Sequence, residues 1–434
     1  MPEVLIASMS PIGHLGPLLN LARGLVDRGD RVTVLTSAAR AGMIRAAGAR
    51  PRALPPQTDI DESRLNESLP GREKTSGIKR VDFDITNVFV TPMPHQAAAL
   101  AEAFAETRYD AVIVDAMFLG ILPFLLGEHA ARPPVLAYST TPLLISSRDT
   151  APPGLGLPPS SSPLGRLRNS ALTTLTHRVL LRGCHRAADE ALHRMNSRPL
   201  PMFVTDAALL ADRFIAPTVP EFDYPRGDLP PHVRYVGAVH PARTQTFTPP
   251  PWWGALDGER PVVHVTQGTV DNADPRRLLL PTVEALAGEE VTVVVTTGGR
   301  GLSVPHTALP TNTHVAEFIP HDVLLPKVDV MVTNGGFGAV QRALSLGVPL
   351  VVAGDTEDKP EVAARVAWTG AGVDLRTGTP TPGAIRSAVR DVLDRAHYRE
   401  NARRLEVAFT RRDGVAEIAA VIDEVLAERR QTVR

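Results

Sequence analysis

Short runs composed mainly of apolar residues recur along the chain and are separated by longer stretches with helical spacing. The runs are Val4–Ala7, Val32–Leu35, Ala111–Val114, Val262–Val265, Val291–Val295, Val328–Val332 and Leu350–Val352. Runs of this length that are apolar on both faces are typical of strands buried in a parallel sheet. Between the first two runs, apolar side chains from Leu18 to Val26 follow one helix face, with Pro17 in its first turn. The repeated strand–helix–strand order predicts an α/β fold with doubly wound parallel sheets.

A proline-rich stretch, His240 to Pro251, lies between the two groups of predicted strands. Because this composition is typical of a linker, we expect one domain at residues 1–240 and a second at 241–414. The last predicted helix, over about 415–430, should dock on a core through an apolar stripe. The stripe consists of Val415, Ile418, Ile422, Val425 and Leu426. Residues 151–163 are rich in Pro, Gly and Ser and predict a mobile surface loop.

Composition and charge disfavour several classes of protein. Of 434 residues, 43% are hydrophobic and 21% charged, which is ordinary for a globular protein with full hydrophobic cores. The net charge of −1 gives no long-range attraction to nucleic acid or to anionic membranes. The single cysteine, Cys184, cannot form an internal disulfide, and the chain begins with a strand-like run rather than a signal peptide. Because no apolar run reaches membrane-spanning length, we expect a cytoplasmic protein without stable membrane insertion.

Two polar residues follow predicted strands in the first half of the chain, where ligands of open α/β sheets bind. His14 follows the first strand, and Asp115 comes directly after Ala111–Val114. If their loops meet, the carboxylate can fix the imidazole tautomer, and the other ring nitrogen can remove a proton from a substrate. Taken singly, each also has a structural interpretation, as a capping or loop histidine and as a structural carboxylate. Together they favour a catalytic His14–Asp115 pair.

The most informative stretch is the glycine turn after Val328–Val332, which opens a helix. Backbone N–H groups at a helix start attract anions, and glycines let a bulky anion approach closely. The pattern predicts a diphosphate site, and hence a nucleotide or nucleotide sugar. Polar loops also follow the other strands of this half, although each alone could be an ordinary turn. The candidate residues of this site are Thr266, Gly268, Thr269, Arg300, Phe318, Ile319, Asn334, Gly335, Gly336, Phe337, Gly338, Gln341, Glu357, Asp358 and Lys359.

Two other kinds of site are disfavoured. The glycines after the first strand do not form the G-x-G-x-x-G fingerprint, which argues against hydride transfer. No Cys/His array suits zinc, and we expect neither a metal nor another cofactor. The pairs Asp59/Asp61 and Asp82/Asp84 imitate a D-x-D metal motif, but we interpret them as solvated charges in a poorly patterned segment.

Segments 60–95 and 140–205 contain large apolar side chains with little periodicity. Such loops can form a wide apolar pocket, although packing beneath loops explains any single residue equally well. The candidate pocket residues, which include neighbours of His14 and Asp115, are Ile12, Phe83, Phe89, Met93, Met117, Phe118 and Leu143. We therefore expect a bulky, apolar substrate in the first domain.

Three segments resemble those of the family 1 GT-B glycosyltransferases, in the bacterial macrolide-type branch that decorates antibiotics. They run from Gly13 to Thr33, from Pro220 to Arg226 and from Phe318 to Val366, and the resemblance covers nearly the whole chain. It implies two facing Rossmann-like domains, the first for the acceptor and the second for the donor. It also implies that a helix of about 415–434 crosses back to the first domain. On the same analogy, His14 is the base and Asp115 its partner.

The resemblance also implies roles for individual donor residues. Gly335 and Gly336 would bind the diphosphate of a nucleotide sugar. Phe318 and Ile319 would contact the uracil or thymine base. Asp358 would hold sugar hydroxyls.

Three positions depart from the family pattern. Asn334 stands where many relatives have a histidine on the diphosphate, and it can donate a hydrogen bond but cannot be cationic. Gln341 replaces the glutamate that usually holds the ribose. Lys359 replaces a glutamine that normally contacts the sugar, and lysine has no acceptor atom. The identity of the donor sugar, and whether Lys359 contacts sugar or phosphate, therefore stay open.

The resemblance implies inverting, metal-independent transfer from a UDP- or TDP-sugar to a hydroxyl of a bulky natural product. Polyketides, macrolides, ansamycins such as rifamycin, and phenols are the expected acceptors. The protein would act as a monomer or homodimer, with these small molecules as its partners and no nucleic acid. The alternatives are a lipid or sterol glycosyltransferase at the membrane surface, a non-catalytic nucleotide-sugar-binding auxiliary protein, and a nucleotide-sugar epimerase.

Overall fold

The computed structural model of the protein describes residues 1–60, 65–241, 244, 246–268, 271–302 and 309–432. The strands of the first sheet are β1 Glu3–Ala7, β2 Arg31–Thr36, β3 Arg50–Ala53, β4 Ala111–Asp115, β5 Val135–Tyr138, β6 Arg213–Ala216 and β7 Val233–Tyr235. Those of the second are β8 Val262–Thr266, β9 Thr292–Thr296, β10 Thr313–Ala316, β11 Val330–Thr333, β12 Leu350–Val352 and β13 Gly372–Asp374. The strands of the two sheets fall on either side of residue 240.

Both sheets are parallel throughout and doubly wound. The first has the order β3-β2-β1-β4-β5-β6-β7 and the second β10-β9-β8-β11-β12-β13. In each, the chain first builds outward on one side and then returns to build on the other. The direction reverses between β1 and β4 in the first sheet and between β8 and β11 in the second. Ligands of such sheets bind at this switch point, beyond the carboxyl ends of the strands.

Helices cover the faces of the sheets. Those of the first half are α1 Ile12–Asp27, α2 Ala41–Ala46, α3 Leu65–Ser68, α4 Gly77–Asp84, α5 Met93–Glu106, α6 Leu122–Leu126, α7 Pro163–Leu175 and α8 Arg182–Arg194. Those of the second half are α9 Leu279–Leu286, α10 His321–Leu324, α11 Phe337–Leu344, α12 Lys359–Thr369, α13 Pro382–Asp394, α14 Ala396–Thr410 and α15 Gly414–Thr432. Across the residues that the structure describes, none of the helices is both long and apolar enough to span a membrane.

The last helix returns to the first domain. Ile418, Ile422 and Val425 of α15 are buried in the core that α1 forms with the first sheet. Arg213, at the start of β6, donates to Glu424 of α15 at 2.7 Å. The predicted fold class, two doubly wound parallel-sheet domains with a carboxyl-terminal crossover helix, is confirmed.

The expectation that segments 60–95 and 140–205 are mostly unpatterned loops was wrong, because α4, α7 and α8 lie in them and α5 begins there. Two π-helical turns explain the missing periodicity. They occupy Ile85–Val90, between α4 and α5, and Thr176–Leu180, between α7 and α8. A π turn adds a residue to the helix, so apolar positions before and after it no longer fit one 3.6-residue repeat.

Two smaller expectations also need correction. Asp82 and Asp84 are not solvated loop charges, because Asp82 accepts the Cys184 N–H at 2.8 Å and Asp84 binds Arg72 at 2.7 Å. Asp61 lies outside the described residues. Residues 151–162 are irregular, as expected, but this segment is held by side-chain contacts with the second domain. These contacts are described below.

Candidate active site

His14 and Asp115 meet at the switch point of the first sheet. His14 lies in the first turn of α1, directly after β1, and Asp115 is the last residue of the adjacent strand β4. His14 Nδ1 is 2.6 Å from Asp115 Oδ2. A proton on Nδ1 therefore binds the carboxylate, which leaves the lone pair of Nε2 for a substrate proton.

Asp115 and His14 are both fixed by further contacts. The second oxygen of Asp115, which is 1% exposed, accepts the Met117 N–H at 2.9 Å. Thr140, two residues after β5, places its hydroxyl 3.2 Å from His14 Nδ1. Sequence reasoning did not find Thr140, because nothing in its local pattern shows that the end of β5 lies beside β4. The pair is thus pre-oriented by two neighbouring strands.

Opposing influences act on the pKa of His14. Burial favours the neutral ring, but Asp115 and, from the second domain, Asp358 and Glu357 outweigh it and raise the pKa above 6.5. A raised pKa makes the Nε2 lone pair of His14 a stronger base toward a substrate proton. Because Asp358 and Glu357 belong to the second domain, residues of both domains act on the pKa of His14.

In the second domain, the glycine turn shapes the start of α11. Gly335 has a φ of +88°, and a Cβ there would lie 2.8 Å from Val352, so this position requires glycine. Gly336 caps α11 at a φ of −58°, and a Cβ there would meet no atom within 4 Å. The first N–H groups of α11, at Phe337 and Gly338, have no acceptor within the helix and carry its positive dipole end. The turn is therefore open and suited to an anion.

Asn334 connects this turn to the loop after β8. Its amide donates to the Gln267 carbonyl at 2.6 Å, so the side chain is used within the protein rather than directed at a ligand. On the same loop, the Thr266 hydroxyl accepts the Gly268 N–H at 3.2 Å. Thr269 lies outside the described residues. The Thr266 hydroxyl and the Asn334 amide thus both make hydrogen bonds within the protein.

The loop before α12 carries a compact group of charges. Lys359 is 4% exposed, and its ammonium donates to the Thr356 hydroxyl at 3.0 Å and binds the Glu357 carboxylate. Asp271 Oδ2 is 3.6 Å from Lys359 Nζ and accepts the Thr356 hydroxyl at 2.9 Å. Burial and neighbouring Glu357 raise the pKa of Asp358 to about 6, against the opposing effect of Lys359. Lys359 therefore neutralises acidic neighbours and orders this loop.

Arg277 completes the same charge group. It binds Asp271 at 3.0 Å and Asp355 at 2.5 Å. Sequence reasoning missed Asp271 and Arg277, because both lie outside the glycine-rich and strand-end motifs. Their contacts tie the loop after β8 to the loop after β12, and so hold two walls of the candidate donor site together.

The other candidate donor residues differ in exposure. Phe318 is 69% exposed and available to stack on a base, whereas Ile319 is buried in the second domain's core. Arg300 is exposed four residues after the end of β9. Gln341 is buried, and its Oε1 has no hydrogen-bond partner among the described residues. This oxygen, in the second turn of α11, is therefore available to accept a hydrogen bond from a ligand hydroxyl.

The candidate acceptor residues fall into two groups. The Phe89 ring lies 5.7 Å from the His14 ring, and Ile12, Phe83 and Met117 are partly exposed. In contrast, three candidate residues are packed in hydrophobic cores and are at most 1% exposed, namely Met93, Phe118 and Leu143. The structure therefore does not support their predicted contact with an acceptor. Of the candidate acceptor residues, Phe89 lies beside the His14 ring, and Met117 contacts Asp115 through its backbone N–H.

Known proteins resemble this chain over its whole length. Residues 278–425 match the family described as "Erythromycin biosynthesis protein CIII-like, C-terminal domain". The 4'-demethylrebeccamycin synthase of Lentzea aerocolonigenes is 42% identical over 422 residues, which cover 97% of this chain and 99% of that protein. UDP-glucosyltransferase A1 of Starmerella bombicola is 32% identical, over 98% of this chain and 92% of its own.

A solved structure has the same fold. The glycosyltransferase of kitacinnamycin superposes with a TM-score of 0.74 at 22% identity, over 98% of this chain and 99% of that one. With the sequence relatives, this likeness confirms the predicted family and enzyme class. The chain belongs to the family 1 GT-B glycosyltransferases, in the branch that tailors antibiotics and uses nucleotide-sugar donors.

Proposed function

We propose that this enzyme moves a sugar, with inversion and without a metal ion, from a UDP- or TDP-sugar to a hydroxyl of a bulky apolar natural product. The observation that carries the proposal is the 2.6 Å contact between His14 and Asp115, at a point that Asp358 and Glu357 face from the other domain. This arrangement sets a base on the acceptor side opposite an acidic, sugar-binding loop on the donor side.

The proposed reaction is a single displacement. His14 Nε2 removes the proton of the acceptor hydroxyl while that oxygen attacks the anomeric carbon. The bond from this carbon to the diphosphate breaks, and the nucleoside diphosphate leaves with the electron pair. Attack opposite the leaving group inverts the anomeric centre, so an α-linked donor gives a β-glycoside.

The charge of the leaving diphosphate requires fixed donors. The N–H groups at the start of α11, beyond Gly336, supply them together with the helix dipole. In the described part of the chain, no group of three or more His, Cys, Asp or Glu side chains has the arrangement of a metal site. We therefore propose that the helix start carries the role that a divalent cation has in metal-dependent transferases.

The relatives support both substrate classes. The name of the Starmerella bombicola relative, a UDP-glucosyltransferase, favours UDP-glucose as the first donor to test. The Lentzea aerocolonigenes relative is named for rebeccamycin, and the Phe89 ring beside His14 suits a large apolar acceptor. Aromatic polyketides, macrolides and ansamycins are the acceptors we propose.

The direct test is His14→Ala. Loss of the base should lower transfer by about 10²–10⁴-fold, while binding of the nucleotide should stay unchanged because the donor site lies in the other domain. Consumption of UDP- or TDP-sugar with an acceptor panel, measured with EDTA present, reports transfer, and calorimetry reports nucleotide binding. His129→Ala is the matched control, because His129 also binds an aspartate, Asp212, at 2.8 Å but is 70% exposed.

Three results would contradict the proposal. One is near-wild-type turnover in His14→Ala. Another is activity that EDTA removes and Mg²⁺ restores. The third is conversion of the donor to an isomeric nucleotide sugar without any acceptor, which would indicate an epimerase.

A further inference from the structure

Helix α12 belongs to the donor domain by sequence, yet one of its faces is bound to the acceptor domain. Its first residue, Lys359, and the preceding Asp358 form the proposed sugar loop. Glu361 and Arg365 follow at a spacing of four residues and therefore share a face. Both are buried, at 7% and 2% exposed. A helix that starts at the sugar site is thus fixed by charges further along its length.

Arg365 binds both domains through all three of its nitrogen atoms. Nη1 donates to Glu361 Oε2 at 2.9 Å, within α12. Nε donates to Asp223 at 2.9 Å, and Nη2 donates to the Leu143 carbonyl at 3.1 Å, both in the first domain. The guanidinium also lies over the Tyr224 ring, 4.3 Å from its centre. Only arginine has a fork that can satisfy these three directions together.

Glu361 connects the same helix to residues 151–162. Its Oε1 accepts the N–H groups of Gly154 and Gly156, at 2.7 and 3.3 Å. This irregular segment follows β5, whose end carries Thr140 beside His14. The carboxylate therefore holds an acceptor-side segment against a donor-side helix.

Asp223 closes the chain of charges on the acceptor side. Its Oδ2 accepts Arg226 and the Tyr235 hydroxyl, both at 2.8 Å. Burial opposes its ionisation, but Arg365 and Arg226 outweigh burial and keep the pKa of Asp223 below its usual range. The ion network, defined as Glu361, Arg365, Asp223 and Arg226, thus alternates in sign and has no net charge. Because its members are buried, removing one leaves an uncompensated charge, which proteins tolerate poorly.

An apolar contact reinforces the network. Val219 and Phe222, from the segment between β6 and β7, are at most 1% exposed and pack in the second domain's core. Their neighbours in that core include Ala363 and Val366 of α12. Ionic and apolar contacts therefore join the same two elements.

We propose that Glu361 and Arg365 are positioning residues for glycosyl transfer, which fix α12 against the acceptor domain and so set the width of the cleft between His14 and Asp358. The inference rests on the proposed function. A displacement of about 1 Å between reacting groups can lower a rate on the order of 10²-fold. A wider cleft also admits water, which attacks the anomeric carbon in place of the acceptor and releases free sugar and nucleoside diphosphate.

The test compares Glu361→Gln and Arg365→Lys with the wild-type full chain. Glu361→Gln retains an oxygen for the two glycine N–H groups but removes the charge that Arg365 binds. Arg365→Lys retains the charge but cannot make the three-way contact. Arg132→Lys is the control, because Arg132 is also buried and binds Asp212 at 2.6 Å, entirely within the first domain.

We expect both test variants to raise the acceptor KM by about tenfold or more and to increase the hydrolysed share of the donor severalfold. The pH at which transfer is half-maximal should move slightly to lower values, because a wider cleft takes Asp358 and Glu357 away from His14 while Asp115 stays bound to it. Small-angle X-ray scattering without substrates should give a larger radius of gyration for Arg365→Lys than for wild type and Arg132→Lys.

The outcomes separate this inference from the proposed function. If wild type transfers sugar and the two variants match it in acceptor KM, hydrolysis and radius of gyration, the inference is wrong. Equal effects in Arg132→Lys would also overturn it, because they would indicate a general loss of stability. If wild type transfers no sugar, the proposed function fails, and an unchanged radius of gyration would then reject the inference on its own.

Discussion

At the scale of single residues, the proton chemistry that we propose depends on two side chains that are 101 positions apart in the sequence. Asp115 fixes the imidazole through Nδ1, and Thr140 lies on the same nitrogen at 3.2 Å. The raised pKa of His14 extends the pH range over which this ring is protonated and cannot act as a base. The rate of transfer should therefore increase with the fraction of His14 that is deprotonated.

For wild type, kcat/KM should rise with pH through the raised pKa of His14, because only the neutral ring can accept a proton. Asp115→Asn removes the carboxylate that favours the charged ring, so this acid limb should shift to lower pH. The plateau rate should fall by about 10²–10⁴-fold, since the tautomer is no longer fixed. A pH–rate profile of both proteins measures the shift and the plateau, and an acid limb that moves to higher pH in Asp115→Asn would contradict the assignment.

At the scale of elements, the two glycines before α11 differ in what they contribute: one is needed for folding, and the other leaves space for a ligand. Gly335 has positive φ and no space for a Cβ, whereas Gly336 has ordinary φ and open space beside it. The first glycine therefore serves the backbone, and the second leaves open the space in which we propose that the diphosphate binds.

Gly335→Ala should lower the free energy of unfolding by about 1–3 kcal/mol, because alanine is strained at this φ and would press on Val352. Gly336→Ala should leave the unfolding temperature unchanged and weaken UDP binding, since its methyl group would extend into the open space. Thermal unfolding and nucleotide titration of both variants measure the two effects. Equal UDP affinity in Gly336→Ala and wild type would place the diphosphate elsewhere.

The sequence predicted elements well where their pattern is local. The apolar runs located seven strands to within two residues at either end, because buried parallel strands are apolar on both faces. His14 and Asp115 could be found because polar residues at strand ends share one edge of a sheet. Thr140, Asp271 and Arg277 could not, since their partners come from loops that only tertiary packing brings together. The π turns at Ile85–Val90 and Thr176–Leu180 concealed the helices around them for a related reason, because they break the repeat on which helix prediction depends.

At the scale of the whole molecule, the two domains share hydrophobic cores as well as a cleft. Helix α15 packs in the core of the first domain, although it follows all the strands of the second sheet in sequence. The segment around Phe222 packs in the core of the second domain, although it lies between β6 and β7 of the first sheet. Each core is therefore completed by residues that lie far from its strands in sequence or belong to the other half of the chain.

Deleting residues 414–434 should destabilise the first domain severely. Ile418 and Ile422 are fully buried, and each contributes about 1.5–3 kcal/mol through burial, while their partners on α1 would also become exposed. We expect aggregation or loss of cooperative unfolding, measured by calorimetry and size-exclusion chromatography. Deletion of residues 431–434 alone is the control and should unfold like wild type, and wild-type stability after the longer deletion would show that the crossover contributes little.

The insertion of Val219 and Phe222 into the opposite core bears on the construction of hybrid enzymes. A fusion joined at residue 240 would place Val219 and Phe222 of this protein in the core of a foreign second domain. The packing of that core would then be mismatched, even if every substrate contact were retained. Hybrids that also exchange residues 219–226, so that this segment and the core it packs into come from the same protein, should give soluble protein more often. For this architecture, the unit to exchange therefore consists of two separate stretches of sequence.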